Sequence, residues 1–192
     1  MTLKPLIDHF GFLAPIYERF IPPGNPERLI SLVDMPAGGV ILDAAGGTGR
    51  TAQFFRDKAA HVVVADITSK MLHEVQKKEG LEPVRSYVER MPFENGIFDR
   101  IIMVDAFHHV LNQADTAHEV WRILKPGGWI VIEEPDIRSF VVKLIAIIEK
   151  LALMRSHFLS PNQIANLFCF QNARMQIETD NSTAWIVVLK IK

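Results

Sequence analysis

The apolar residues of this chain are gathered into short runs, "GVILDA", "HVVVAD", "IFDRIIMVDAF" and "WIVIEE", and helix-like stretches separate them. A strand that faces water on one side alternates apolar and polar residues; a run that is apolar throughout is covered on both faces, as in parallel sheets. Between the second and third of these runs "EPVRSYV" reads as a further, weaker strand, third in chain order. The segment "ITSKMLHEVQKKEG" offers Thr68 or Ser69 as N-cap, Met71, Leu72 and Val75 for packing, and Gly80 at its exit. "ADTAHEVWRILKPGG" sets Ala117, Val120, Trp121 and Leu124 on one helical face and is expected to run to Pro126, Gly127 and Gly128. "GRTAQFFRDK" is expected to be a short helix that packs through Ala52, Phe54 and Phe55. Strands alternating with helices at this spacing predict an α/β fold with a mostly parallel sheet and helices on both faces. "ARMQIETD" and "TAWIVVLKIK" follow each other across a short polar turn, so this last pair is expected to be antiparallel.

A length of 192 residues with 48% hydrophobic content suits one domain. Within it we expect an N-terminal helical cover over 1–36, built from "FLAPIYERF" and "PERLISLV" on either side of "IPPGNP". A core over 37–135, an apolar helical insertion over 136–170 and a strand pair over 171–192 complete the division. With 21 basic and 22 acidic residues the net charge is −1, so no basic field draws the protein to nucleic acid, and a small-molecule partner is favoured. Cys169 is the single cysteine, which rules out an intramolecular disulfide and a cysteine metal cluster; no metal site is expected.

The N-terminus lacks the unbroken apolar core of a signal peptide, and a cytoplasmic protein is expected. The most apolar helical stretch, "SFVVKLIAIIEKLALM", is broken by Lys143, Glu149 and Lys150 and falls short of the roughly 20 apolar residues that span a bilayer. Over 138–155 it carries Phe140, Val141, Leu144, Ile147, Ile148, Leu151 and Met154, a wider apolar face than a surface helix needs. Core or homodimer packing is the expected explanation; an apolar acceptor or a membrane surface is the alternative.

The loop "DAAGGTGR" after the first strand admits two readings. Gly47, Gly49 and Ala52 fit a dinucleotide fingerprint, whereas Asp43 followed by Gly47 and Gly49 fits a loop for S-adenosylmethionine (SAM). In an open parallel sheet the ligand lies beyond the carboxyl ends of the strands, where residues 43–49, 66 and 105 converge. A carboxylate at Asp43 repels a pyrophosphate but attracts the methionyl ammonium, directly or through water and loop amides, so SAM fits better. Asp66, ending the second strand, is the expected acceptor for a ribose diol under either reading.

Four segments in order, "LDAAGGTGR", "ADITSKML", "MPFENGIFDRIIMVDAFHHV" and "WRILKPGGWIVIEE", resemble those of class I SAM-dependent methyltransferases over about residues 10–135. The turn Ala45-Gly46-Gly47-Thr48-Gly49 and "FLAPIYERF" are similar to the C-methyltransferases of ubiquinone and menaquinone biosynthesis. The resemblance implies a three-layer Rossmann-like sandwich with a seven-stranded sheet whose last strand is antiparallel. It implies SAM as cofactor and S-adenosylhomocysteine as product. Asp43 and residues 45–49 would hold the methionyl part, Asp66 the ribose, and Ile67 with Met71 the adenine face. Where that family carries an acidic residue for the adenine amine this chain has Tyr87, so the Val88 backbone or Glu89 would take the contact. Asp105 and Ala106 would line the sulfur and methyl.

A carbon or oxygen acceptor must lose a proton, and His108 or His109, just past the fourth strand, is the expected base, with Asp105 orienting it. Tyr17 would close the site from the N-terminal cover. Glu133, Glu134 and Asp136 receive no role. The family's glycine pair before the last strand is absent, and "DNSTAWIVVLKIK" stands in its place. A SAM-binding regulator without catalysis is a second reading, and an NAD-dependent oxidoreductase a third.

Overall fold

The structure, a computed structural model, describes residues 25–151 and 156–192. "FLAPIYERF", with Tyr17, and Met154 lie outside the described residues.

The chain enters on α1 (Pro26–Val33), where Asn25 caps the first turn by accepting from the Arg28 amide and Pro26 supplies a pre-set φ. Strand β1 (Val40–Ala44) leads into the glycine loop and a single 3₁₀ turn (Ala52–Phe55), then β2 (His61–Asp66). Helix α2 (Ser69–Gln76) and β3 (Glu82–Arg85) follow, then β4 (Phe98–Val104) and a 3₁₀ turn at Phe107–His109. Helix α3 (Gln113–Ile123), capped by the Asn112 side chain, passes directly into β5 (Leu124–Pro135). Helices α4 (Phe140–Leu151) and α5 (Pro161–Asn166) precede β6 (Ala173–Asp180) and β7 (Thr183–Lys190).

The sheet order is β3-β2-β1-β4-β5-β7-β6, with only β7 running against its neighbours. Strand alternation divides the core into two layers. Leu42, Ala44, Val63, Ile101, Ile130 and Ile186 meet α3 and α5 on one face; Ile41, Val62, Val64, Ile102 and Val131 meet α1 and α2 on the other. Arg100 fastens α1 to the sheet: its buried guanidinium donates to the Val33 carbonyl at 2.6 Å and the Asp34 carbonyl at 2.7 Å, the ends a helix leaves unpaired.

Two expectations are corrected. "GRTAQFFRDK" forms one 3₁₀ turn rather than a helix, and the Ala60 amide bonds back to the Gly39 carbonyl and returns the chain to β2. Helix α3 stops at Ile123, short of the Pro-Gly-Gly sequence. Leu124 has joined the sheet opposite Phe98, and Lys190 Nζ caps the freed Trp121 and Leu124 carbonyls at 2.7 and 2.9 Å. On α4 the core covers Val142, while Phe140 at 81% exposure, Val141, Leu144 and Ile147 face outward; core packing does not account for those four residues.

Candidate active site

Asp43 shares the β1 face of Ile41, on the α1/α2 side, so the sheet carries its carboxylate beneath the glycine loop. Asp43 is only 1% exposed. Burial pushes its carboxyl up to about 7, against the pull of the Arg50 charge; the Asp66 charge adds to the rise, and an amide bond from Ala52 opposes it. Its Oδ2 finds no hydrogen-bond partner among the described residues, and neither does the buried Thr48 hydroxyl in the loop above.

The loop closes tightly over this carboxylate. A Cβ on Gly46 would stand 2.5 Å from Asp43 Cγ, and one on Gly49 would stand 2.9 Å from Leu81 Cδ1. At Gly47, where φ is +57°, the space is open among the described residues, with Met71 Sδ their nearest atom at 3.9 Å. The loop therefore packs downward through Gly46 and Gly49 and presents Gly47 to an approaching ligand. Lys78 Nζ braces it from outside on the Thr48 carbonyl at 2.6 Å.

Asp66 receives the Gly47 amide on Oδ2 at 3.0 Å and the Thr68 amide on Oδ1 at 2.7 Å, so it stitches the loop to the start of α2. Burial raises its carboxyl above the ordinary value, and these amide bonds work against the rise. Ile67 beside it is exposed, while Met71 is buried. Ala45 and Asp105 both adopt positive φ, at +57° and +51°. The Asp105 amide donates to the Glu133 carbonyl on β5, and its carboxylate takes Arg50 Nη2 at 2.8 Å.

Arg50 is the residue the sequence reading passed over. Its buried guanidinium lies among Asp43, Asp105 and Glu133, three acids drawn from three strand ends. Burial raises the Glu133 carboxyl, which accepts Trp185 Nε1 at 2.7 Å. The presence of Arg50 in the quoted loop with Asp43 was the only signal, since Asp105 and Glu133 are remote in sequence.

Other expected residues are placed as follows. Val88 is buried. The Glu89 carboxylate accepts the Leu111 and Asn112 amides at 2.7 and 3.2 Å, so it is engaged with the approach to α3. Ala106 is buried and donates its amide to Glu134 Oε1 at 2.8 Å. His108 is buried, stacks on Phe158 with centroids 4.2 Å apart, and meets Glu134 Oε2 through Nδ1 at 2.6 Å. His109 contacts the Ser156 hydroxyl at 3.3 Å. Tyr17 lies outside the described residues.

Above pH 7, where Asp43 is ionised, the acids gathered under an open glycine turn suit a cationic ligand, and a pyrophosphate would meet the Asp43 charge with the wrong sign. The unpartnered Asp43 Oδ2 and the space over Gly47 fit a methionyl group held through the loop. Together with the sheet order, these features are similar to the cofactor loop of class I SAM-dependent methyltransferases. Residues 42–132 match the family model described as a methyltransferase domain. Over 105 residues the chain is 34% identical to the ubiquinone/menaquinone biosynthesis C-methyltransferase UbiE of Coxiella burnetii (strain Dugway 5J108-111), covering 49% of this chain and 42% of that one. It is 39% identical over 100 residues to the UbiE of Bartonella quintana (strain Toulouse), covering 46% and 38%. The match thus spans less than half the length of these curated relatives.

Among solved structures, a SAM-dependent methyltransferase from Aquifex aeolicus superimposes with a TM-score of 0.73 at 14% identity, covering 99% of this chain and 100% of that one. One from Thermotoga maritima gives 0.75 at 19%, covering 94% and 98%. These establish the likeness of fold.

Asp66→Ala is expected to weaken SAM binding by about 1.5–3 kcal/mol, the worth of hydrogen bonds to a charged acceptor. Titration calorimetry on a variant with native circular dichroism reads this directly; unchanged affinity would remove Asp66 from the site.

Proposed function

We propose that this domain transfers the methyl group of SAM to a carbon or oxygen of a small hydrophobic acceptor. The observation that carries the reading is the open Gly47 turn folded over the buried Asp43 carboxylate. Bound SAM supplies an electrophilic methyl on a sulfonium sulfur. The protein's part is to align donor and acceptor for an in-line displacement, with Gly46 to Gly49 seating the methionyl end, Asp66 the ribose, and the turn at Asp105 and Ala106 flanking the methyl. An apolar acceptor is supported by the exposed Phe140, Val141, Leu144 and Ile147, carried on the helix that follows the carboxyl end of β5. The names of the matched relatives favour a quinone precursor within that class. Among the described residues no helix is long and apolar enough to cross a membrane.

Calorimetry with SAM, S-adenosylhomocysteine and NADH in parallel tests the cofactor, and an acceptor screen beginning with quinols and phenols tests the transfer. Binding of both sulfur nucleosides with a methylated product is expected. Binding of NADH alone overturns the reading, and tight SAM binding with no product from any acceptor would leave a SAM-responsive regulator.

A further inference from the structure

The sheet ends in two unlike edges. β3 is four residues long and carries Pro83, two features that discourage a further strand. β6 is eight residues long and has no proline, and its register with β7 runs unbroken from Ala173 opposite Lys190 to Asp180 opposite Thr183. Among the described strands only β7 pairs with it. The Asn172 carbonyl accepts the Ile191 amide at 2.8 Å, which fixes the phase of the ladder. Residues of an antiparallel pair bond inward and outward by turns, so the N–H and C=O of Met175, Ile177 and Thr179 point away from β7. The Ala173 amide shares that phase but is taken by the Phe170 carbonyl at 3.0 Å, which marks where the open row begins.

The side chains of β6 alternate in the same way. Arg174, Gln176, Glu178 and Asp180 share the face toward α1, where Glu178 pairs with Arg28 and accepts from Gln176 Nε2 at 2.9 Å. Met175, Ile177 and Thr179 share the other, where Met175 packs on the core and Ile177 is 36% exposed. The strand therefore starts with a cation, ends with acids and is apolar between them on its second face, a pattern complementary to itself when turned end for end. We propose that β6 pairs antiparallel with β6 of a second copy of this chain, about a two-fold axis at Ile177, so that one sheet runs through both copies. In this register Ile177 meets Ile177 of the second copy as a hydrogen-bonded pair, and Met175 meets Thr179 in the same way. Arg174 then stands directly opposite Asp180 of the second copy. Glu178 is already held by Arg28, so this register uses the exposed acid for the exposed cation. A parallel copy in register would set like charges side by side instead.

Pairing along one strand makes a small interface, so the dimer is expected to be reversible, half-dissociated on the order of 10 micromolar. Sedimentation equilibrium of the native chain from about 1 to 300 micromolar reads its mass. Amide hydrogen exchange over the same range reads its place: the Met175, Ile177 and Thr179 amides are expected to slow as the concentration rises, while those of β3 do not. Arg174→Asp is expected to raise the dissociation constant by roughly tenfold to a hundredfold, because a two-fold interface contains the charge pair twice. Adding Asp180→Arg to that variant reverses both charges and is expected to restore the dimer. A monomer at every concentration overturns the proposal, and so does a dimer whose three amides exchange at the monomer rate. A dimer lost on Leu144→Glu but indifferent to Arg174→Asp overturns it as well, by moving the contact to α4. The exchange data on the native chain decide the matter even where a variant does not fold.

Discussion

Replacing Asp43 with asparagine is expected to stabilise the folded protein at pH 8 by about 3–4 kcal/mol while leaving it little changed near pH 4. In the folded protein Asp43 keeps its proton up to about pH 7, whereas the unfolded chain releases it near 3.8. Below the lower value both states are protonated and the buried group costs nothing. As pH rises between the two, the unfolded chain gains by ionising, native stability falls through pH 7, and the deficit is constant above it. Asparagine removes that fall; what remains comes from Asp66 and Glu133, which burial raises in the same direction. Urea unfolding at pH 4, 6 and 8 measures it, and parallel curves for the two proteins would refute the burial argument. The gain comes with a loss of cofactor affinity on the order of tenfold to a hundredfold, as expected for a counter-charge held beneath the loop. Native affinity for SAM should rise with pH through 7, because the carboxylate form attracts the methionyl ammonium.

Gly46→Ala is expected to cost about 2–3 kcal/mol through overpacking. The added carbon would lie 2.5 Å from Asp43 Cγ, 2.7 Å from Asp43 Oδ2 and 2.8 Å from Val64 Cγ1, and both of these side chains are buried. Two of the three clashes belong to Asp43, so the double variant with Asp43→Ala should recover part of the loss, a coupling that thermal unfolding of the four proteins would show. Gly47→Ala serves as the contrast. Its Cβ enters open space, so only the positive φ is penalised, at about 1 kcal/mol. Equal losses at positions 46 and 47 would mean that the loop does not lie against Asp43 as described.

The central strands β1, β2, β4 and β5 were legible because each carries a run of apolar residues that is buried on both faces. HVVVAD matches β2 end to end. The loop was legible because glycines in a row after a strand answer a steric demand that few other sequences answer. Segments that depend on neighbours far along the chain were not. Nothing in Leu124 says that it will pair with Phe98, and a helical face of Ala117, Val120, Trp121 and Leu124 points the other way until Lys190 arrives to cap the exit. Glu133, Glu134 and Asp136 stand together as interchangeable acids in the sequence. Only the fold separates them, giving Trp185 to the first, the turn after β4 to the second and Arg138 to the third. On α4, periodicity could not say that Val142 would turn inward and Phe140 outward.

The reversed strand has a bearing on how the chain reaches this state. β5 lies inside the sheet, yet one of its two neighbours is β7, and Glu133 finds its partner Trp185 52 residues later. Until that segment has been synthesised, an apolar strand stands at the border of a half-built sheet with its row of amides and carbonyls open to any other extended chain. Such a border is a natural place for a chaperone to hold, and a chain interrupted before residue 183 would be left with a permanent adhesive edge.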